Sequence, residues 1–280
     1  MKRLLMATDL SARSDRALQR AVALAREQGA TLDVITVVDD SLPHAVRERH
    51  QEAARIAIDL QIRALQNAKE AIAAERVLSG EDFLAILRYA EDISAELIVL
   101  GLHRHSTRLL FRGTTAERVI RFGRLPVLVV RDPVARPYRR VLVGVDLSLH
   151  SRRALELAVE VAPDAEFRLV HAADVPFKGL LNEKTVWEIA ESERARVQES
   201  LERSLTEFAA PVATVAERWE IVAREGLPQD VLRQQAEDFR PDLIALGTHG
   251  RSGIANAMLG SVAEEILADA PTDVLAVKAW

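Results

Sequence analysis

Arg3-Leu4-Leu5-Met6-Ala7-Thr8-Asp9-Leu10-Ser11 returns 137 residues later as Arg140-Val141-Leu142-Val143-Gly144-Val145-Asp146-Leu147-Ser148. Each copy is a short apolar run closed by Asp and Ser. That pattern reads as a buried strand running into a capped helix. The match continues through Ser14, Ala17, Leu18 and Ala21, which correspond to Ser151, Ala154, Leu155 and Ala158. A second pair lies later in each half. Ala90 to His103, containing Leu97-Ile98-Val99-Leu100-Gly101, parallels Ala236 to His249, containing Leu243-Ile244-Ala245-Leu246-Gly247. A third pair is Gly113-Thr114-Thr115-Ala116-Glu117 and Gly260-Ser261-Val262-Ala263-Glu264. A sequence that repeats in this order is a duplicated unit. The junction falls around Arg131 to Arg139, where Asp132-Pro133 and Arg136-Pro137 interrupt the pattern.

Outward from these stretches, each half alternates strands and helices. In the first half the strand candidates are Leu4–Thr8, Leu32–Val38, Arg76–Ser79, Leu97–Leu100 and Val127–Val130. Between them, Ala17, Leu18, Ala21, Leu24 and Ala25 form one helical face. His44 to Ala74 reads as mostly helical, with Ala53, Ile56, Ala57, Leu60, Ala64 and Leu65 as its apolar stripe. Helices over Phe83–Asp92 and Thr114–Phe122 follow. The second half offers strands at Val141–Val145, Phe167–Ala172, Trp219–Ala223, Leu243–Leu246 and Val274–Val277, and a long helix over Glu183–Phe208. Continuous apolar runs alternating with helices predict an α/β fold with parallel strands. The expectation is two tandem doubly wound parallel-sheet domains, each an open sheet of about five strands, bounded at 1–135 and 136–280.

Composition fits this reading and removes other classes. The chain has 280 residues, a net charge of −5 and no cysteine. A thiolate nucleophile, a disulfide framework and an iron–sulfur centre are therefore excluded. No apolar stretch is long enough to span a bilayer, and the brief run after Met1 reads as a strand, so a cytoplasmic setting with no membrane partner is expected. Almost all of the 37 basic residues are arginine. The series Arg104, Arg108, Arg112, Arg118, Arg121 and Arg124 reads as solvated helix faces and ion pairs rather than a nucleic-acid surface.

The segment with most chemistry is Gly247-Thr248-His249-Gly250, nine residues, then Gly260-Ser261. It follows a buried strand, where ligands of doubly wound sheets bind. Gly247 and Gly250 would let backbone amides approach an anion without a Cβ. Ser261 followed by Glu264 has capping-box spacing and marks a helix start, whose free amides and dipole favour phosphate. The same glycines could instead simply turn the chain. The segment is neither a P-loop nor a G-x-G-x-x-G turn.

On these residues the chain resembles a tandem universal stress protein, with two such domains fused and the similarity covering nearly its whole length. The resemblance implies the adenine nucleotide alpha hydrolase-like form of the α/β fold. The family's ATP-binding subgroup carries G-x-x-G, nine residues, then G-[S/T], and Gly247, Gly250, Gly260 and Ser261 meet that spacing. Asp146 occupies the family's acidic position beside the nucleoside. Ala173, placed after the second strand, falls where the family contacts adenine through backbone atoms. The implied cofactor is ATP or a related adenine nucleotide, with any Mg²⁺ bridging its phosphates. The first half departs from the motif. Arg104 replaces the second glycine, and only eight residues separate it from Gly113-Thr114. A degenerate, nucleotide-free first domain is expected, although Asp9 and Val38 keep the nucleoside positions.

His249 is either a ligand contact or a loop histidine bonded to backbone. His103 and His105 lack further ligands for a metal. No general base with a water-positioning partner is apparent, so no catalytic residue is assigned. The resemblance implies a stress-associated nucleotide-binding protein acting by binding-coupled regulation. A nucleotide-free scaffold and a slow ATPase are the alternatives. Expected partners are the nucleotide, an unidentified protein and a second copy of the chain. Val175 to Leu181 reads as a lid or interaction surface. Val127–Val130 and Val274–Val277 are expected to pair antiparallel within the chain.

Overall fold

The computed structural model describes residues 1–65, 68–102, 113–133, 136–173, 199–200, 202–210, 218–249 and 259–279. The strands of the first half are β1 (Arg3–Ala7), β2 (Thr31–Val38), β3 (Ile72–Ser79), β4 (Leu97–Gly101) and β5 (Val127–Val130). Those of the second half are β6 (Arg140–Gly144), β7 (Glu166–Ala173), β8 (Arg218–Glu225), β9 (Leu243–Gly247) and β10 (Asp273–Val277). The helices of the first half are α1 (Ala12–Gln28), α2 (His44–Ala64), the short α3 (Ala68–Ala71), α4 (Asp82–Asp92) and α5 (Thr115–Phe122). The second half contributes α6 (Leu149–Val161), α7 (Pro228–Phe239) and α8 (Ser261–Ala268), with residues 202–210 also helical.

All these strands form one sheet, in the order β3-β2-β1-β4-β5-β10-β9-β6-β7-β8. Pairing is parallel within each half and antiparallel only where β5 meets β10, with Val274 opposite Val129 and Leu275 opposite Leu128. The expected pairing of the two last strands is therefore present, and it makes one continuous sheet rather than two separate ones. Strand order reverses between β1 and β4, and again between β6 and β9. These are the points where crossovers leave in opposite directions and open a crevice.

Alternation along the strands splits the core into two layers. Leu4, Met6, Val141 and Val143 face α1, α2 and α6, together with Leu205 and Phe208. Leu5, Ala7, Leu142 and Ile244 face α4, α5, α7 and α8. Helix α1 starts as its sequence demands: the Ser11 hydroxyl accepts from the Ser14 amide, and Ala17, Leu18, Ala21, Leu24 and Ala25 are all buried.

Helix α2 corrects the sequence reading twice. It ends at Ala64, and the chain is in β3 from Ile72, so the helix expected through Ala74 gives way to an edge strand. It also buries a different face. Ala54, Ile58 and Ile62 are inside, while Ile56 and Leu60 are 55 % and 61 % exposed. Two apolar stripes of similar strength are wound on this helix. The sheet takes the one set by the crossover geometry, which periodicity alone does not reveal.

The junction between halves is reciprocal. Arg131, just beyond β5, donates from Nη1 to the Ala270 carbonyl beyond α8, at 2.8 Å. Lys278, just beyond β10, donates from Nζ to the Arg121 and Gly123 carbonyls at the end of α5, at 3.2 and 3.4 Å. Each half thus supplies a cation to the carboxyl end of the other half's last helix, where unpaired carbonyls and the dipole favour it. One further cluster has no counterpart. Buried Asp273 accepts from the Tyr138 hydroxyl at 2.7 Å and the Arg131 amide at 2.8 Å, with the Arg20 guanidinium 3.4 Å away and stacked over Tyr138. The repeat places Pro126 and Leu157 opposite Asp273 and Arg20, so only one side of the junction carries this lock.

Candidate functional site

The carboxyl ends of β6 and β9 lie side by side at the second switch point. A cleft of about 290 Å³ opens there. Its apolar wall is Val145, Val170, Ala172, Leu232 and Leu246, and its polar wall includes Asp146, Ser151, His249, Gly260 and Ser261. An apolar slot with a few convergent polar groups is the form small-ligand sites take.

Asp146 follows β6 in a tight turn. Its Oδ1 accepts from the Ser148 amide at 3.0 Å, and its own amide donates to Ser151 Oγ at 3.4 Å. The Ser148 hydroxyl in turn caps α6 by accepting from the Ser151 amide at 3.2 Å. Burial pushes the Asp146 carboxyl up, but hydrogen bonds from Ser148 and Ser151 outweigh it and hold the pKa below the ordinary aspartate value. The residue between, Leu147, has φ of 62°, and its repeat partner Leu10 has φ of 63°. A leucine in the left-handed region is strained, and here the Asp–Ser bonds fix it. The first half repeats the turn: Asp9 accepts from the Ser11 amide at 3.0 Å and from the Ser14 hydroxyl.

Gly247 ends β9 against the start of α6. A Cβ there would lie 2.8 Å from His150 Cβ and 2.9 Å from the Ser151 amide nitrogen. Helix packing by itself therefore excludes a side chain, whereas the motif points to ligand approach. At the matching Gly101 the nearest atom is the Arg13 carbonyl oxygen, at 3.3 Å. The Gly260 amide donates to the Thr248 carbonyl at 2.7 Å, which ties the two described ends of the loop together and uses that donor.

Ser261 does not cap its helix, contrary to its capping-box spacing. The N-cap is Gly260, with no side-chain cap, and Ser261 is the first helical residue of α8. In the first half the equivalent Thr114 does cap: its hydroxyl accepts from the Glu117 amide at 3.1 Å, and Glu117 Oε2 accepts from the Gly113 amide at 2.9 Å. Ser261, the first helical residue of α8, lines the cleft. The first-turn amides of Ser261, Val262 and Ala263 lack intrahelical partners, as at any helix start.

Ala173 is the last residue of β7 rather than a residue after it, and the neighbouring Ala172 lines the cleft. Gly250 and Arg104, on which the contrast between the two loops rests, lie outside the described residues, as do His103, His105 and the Val175–Leu181 segment. Arg118 and Arg121 are engaged within the first half. Arg118 pairs with Glu81 and stacks over Phe83, and Arg121 pairs with Glu117 at 2.8 Å. Among the described residues, no cluster of three His, Asp or Glu could hold a metal ion.

His249 does reach the site. Thr248 Oγ1 lies 3.0 Å from its Nδ1, and its ring centroid is 5.3 Å from that of His150. His150 belongs to no sequence motif and was not among the expected site residues. It sits on the first turn of α6, where only the crossing of α6 over β9 brings it to His249.

The sequence profile of the universal stress protein family matches residues 1–131 and 137–278, two copies in tandem. The chain belongs to the universal stress protein family. A universal stress protein of Methanocaldococcus jannaschii is 34 % identical over 148 residues, half of this chain and 82 % of that relative. A universal stress protein E homolog of Haemophilus influenzae is 23 % identical over 257 residues, covering 84 % of this chain and 75 % of its own. The crystal structure of a universal stress protein from Archaeoglobus fulgidus superposes with a TM-score of 0.69 at 20 % identity, covering 99 % of this chain and 98 % of that one. A putative universal stress protein from Pseudomonas aeruginosa gives 0.64 at 19 % identity, covering 99 % and 93 %. These two likenesses concern the tandem fold. No helix among the described residues is long and apolar enough to cross a membrane.

Proposed function

We propose that this universal stress protein binds an adenine nucleotide in its second half, residues 136–280, and acts by binding-coupled regulation in a stress response. The observation that carries the proposal is the cleft at the β6/β9 switch point. Its apolar wall of Val145, Val170, Ala172 and Leu246 suits a flat base, and Asp146 stands where a ribose hydroxyl can donate to it. The amides of the α8 first turn and the Ser261 hydroxyl suit phosphate. The volume is at the small end for ligand pockets, so it fits the nucleoside and leaves the phosphates toward the loop. In this reading the second half is an adenine nucleotide alpha hydrolase-like domain. Any Mg²⁺ would be held chiefly by the phosphates themselves.

In the same reading the first half, residues 1–135, is a degenerate copy. In the repeat, Arg104 takes the position of Gly250, and a long side chain there would compete with a phosphate for space. The reading is binding-coupled regulation, with slow turnover as the alternative.

The test is retained ligand. Protein purified in the native state is denatured and the released small molecules are identified, beside Asp146→Ala and Gly250→Arg. One adenine nucleotide per chain in the wild type, reduced in both variants, is the expected result. A wild-type protein that neither retains nor binds ATP, ADP or AMP at millimolar concentration overturns the proposal. A single-turnover phosphate-release assay showing release above the variants would instead favour an ATPase.

A further inference from the structure

Two histidines stand together at one margin of the cleft. His150 comes from α6 and His249 from the loop after β9. Their ring centroids are 5.3 Å apart and their planes are inclined by 39°. His249 lines the cleft, and so do Gly247 and Ser151, which flank His150 in space and in sequence. The start of α6 packs closely on Gly247, which fixes His150, and His249 follows Gly247 by two residues in the loop.

We propose that His150 and His249 form one proton-binding unit that couples anion binding in this cleft to proton uptake. The inference deepens the nucleotide reading and rests on it for the ligand. Among the described residues, the charged or titratable groups facing His150 are Asp146 before α6, His249 after β9 and Lys278 after β10. Burial is the main influence on His150 and lowers its pKa. Asp146 opposes that effect and Lys278 adds to it. Without ligand, burial and Lys278 disfavour a positive charge on His150. A polyphosphate at the loop end of the cleft, beside His249, reverses the balance, because several negative charges arrive next to a pair whose His150 imidazole has its pKa lowered by burial. The proton is assigned to the pair because the two imidazoles stand 5.3 Å apart. The site would then bind its anion more tightly as the surroundings acidify.

The linkage has a definite slope. One proton taken up per anion bound gives about a tenfold gain in affinity per pH unit over the coupled range. ATP's own terminal phosphate also titrates near about pH 6–7, so a comparison of variants, not the bare slope, carries the test. Calorimetric titrations with ATP, in buffers of different ionisation enthalpy from about pH 5.5 to 8, would be run on wild type and on the His150→Gln/His249→Gln variant. Proton uptake and a steeper pH dependence in the wild type, lost in the double variant, are expected. Equal slopes in both proteins overturn the inference. In parallel, the histidine ring resonances of the intact protein are titrated with and without inorganic tripolyphosphate. An upward shift of the His150 and His249 midpoints is expected. If ATP does not bind but tripolyphosphate raises those midpoints, the nucleotide reading fails and the histidine coupling stands. If ATP binds and neither anion moves the midpoints, the coupling fails alone. If neither anion binds, both fail.

Discussion

Replacing Gly247 by alanine separates two explanations of the same glycine. One is that its missing Cβ makes room for a ligand. The other is that it makes room for α6. A methyl group on this residue would lie 2.8 Å from His150 Cβ, 2.9 Å from the His150 carbonyl carbon and 2.9 Å from the Ser151 nitrogen. Two of these three are main-chain atoms of a helix already tied down by Ser148 and buried Ser151. They cannot rotate away, so α6 or β9 must move. Overpacking of this kind costs about 1–3 kcal/mol. Against it stands the smaller conformational freedom of an unfolded alanine chain, worth about 0.4–1 kcal/mol. Taking the middle of each range, the net loss is roughly 1.3 kcal/mol. For large domains this corresponds to a fall in Tm of roughly 3–5 °C.

Gly101→Ala is the internal control, because the repeat puts it at the same corner of the first half. There the closest approaches are 3.3 and 3.4 Å, tight but short of a clash. The unfolded-state gain then roughly cancels the contact, and the Tm should stay within about 3 °C of wild type. The assay is thermal unfolding without added nucleotide, so that ligand stabilisation does not enter. A Gly247→Ala protein as stable as wild type, or a Gly101→Ala protein less stable than Gly247→Ala, would refute the packing argument. An undisturbed Tm with lost ATP binding would return Gly247 to a purely ligand-facing role.

Ile58→Ala should cost about 2–5 kcal/mol in urea unfolding, while Leu60→Ala should stay within about 0.5 kcal/mol, because α2 buries the first and exposes the second. Lys278→Met removes the donor that bridges β10 to the end of α5, and should lower stability by about 1–3 kcal/mol, with Lys278→Arg recovering part of it. Tyr138→Phe leaves Asp273 one donor short in a buried setting, and should cost about 1–3 kcal/mol by the same measurement. The unliganded protein has its His150 pKa below that of the unfolded chain, so its folded form binds fewer protons just below about pH 6.5. Its stability should therefore fall as pH drops through about 6.5, and His150→Gln should remove that part of the fall.

Much of this architecture is readable in the chain because its signals are local. Arg3–Ser11 and Arg140–Ser148 show strand, turn and cap in one stretch, and the duplicated order of such stretches implies the switch points. The pairing of β5 with β10 follows from two short apolar runs of equal rank. What escapes the sequence depends on geometry between elements. Ile56 and Leu60 look like the core of α2 because periodicity reports that a stripe exists, not which of two stripes the sheet covers. Ser261 and Thr114 share a pattern, yet only Thr114 caps. In the second half the Gly260 amide bonds to Thr248, and the helix begins one residue sooner. His150 carries no motif at all, and its place beside His249 exists only because α6 crosses β9.

The reciprocal junction constrains how this protein could associate further. An isologous contact uses the same surface from both sides. Here that contact is satisfied inside one chain: β5 pairs with β10, Arg131 reaches Ala270, and Lys278 reaches Gly123. The last strand of neither half keeps a free edge. The strands left at the ends of the sheet are β3 and β8, which lie farthest from the junction. A homodimer formed through last-strand edges is thus closed to the folded chain, and a second copy would have to meet β3, β8 or a helical face. The asymmetric Asp273–Tyr138–Arg20 cluster works in the same direction. It exists on one side only, so exchanging halves between two chains would reproduce it once per pair of halves and gain nothing over the closed monomer. The expected sedimentation result at micromolar concentration is one folded species, and β10 truncation should expose β5 and promote self-association. If full-length chain and truncated chain associate equally, the closed-junction argument is wrong.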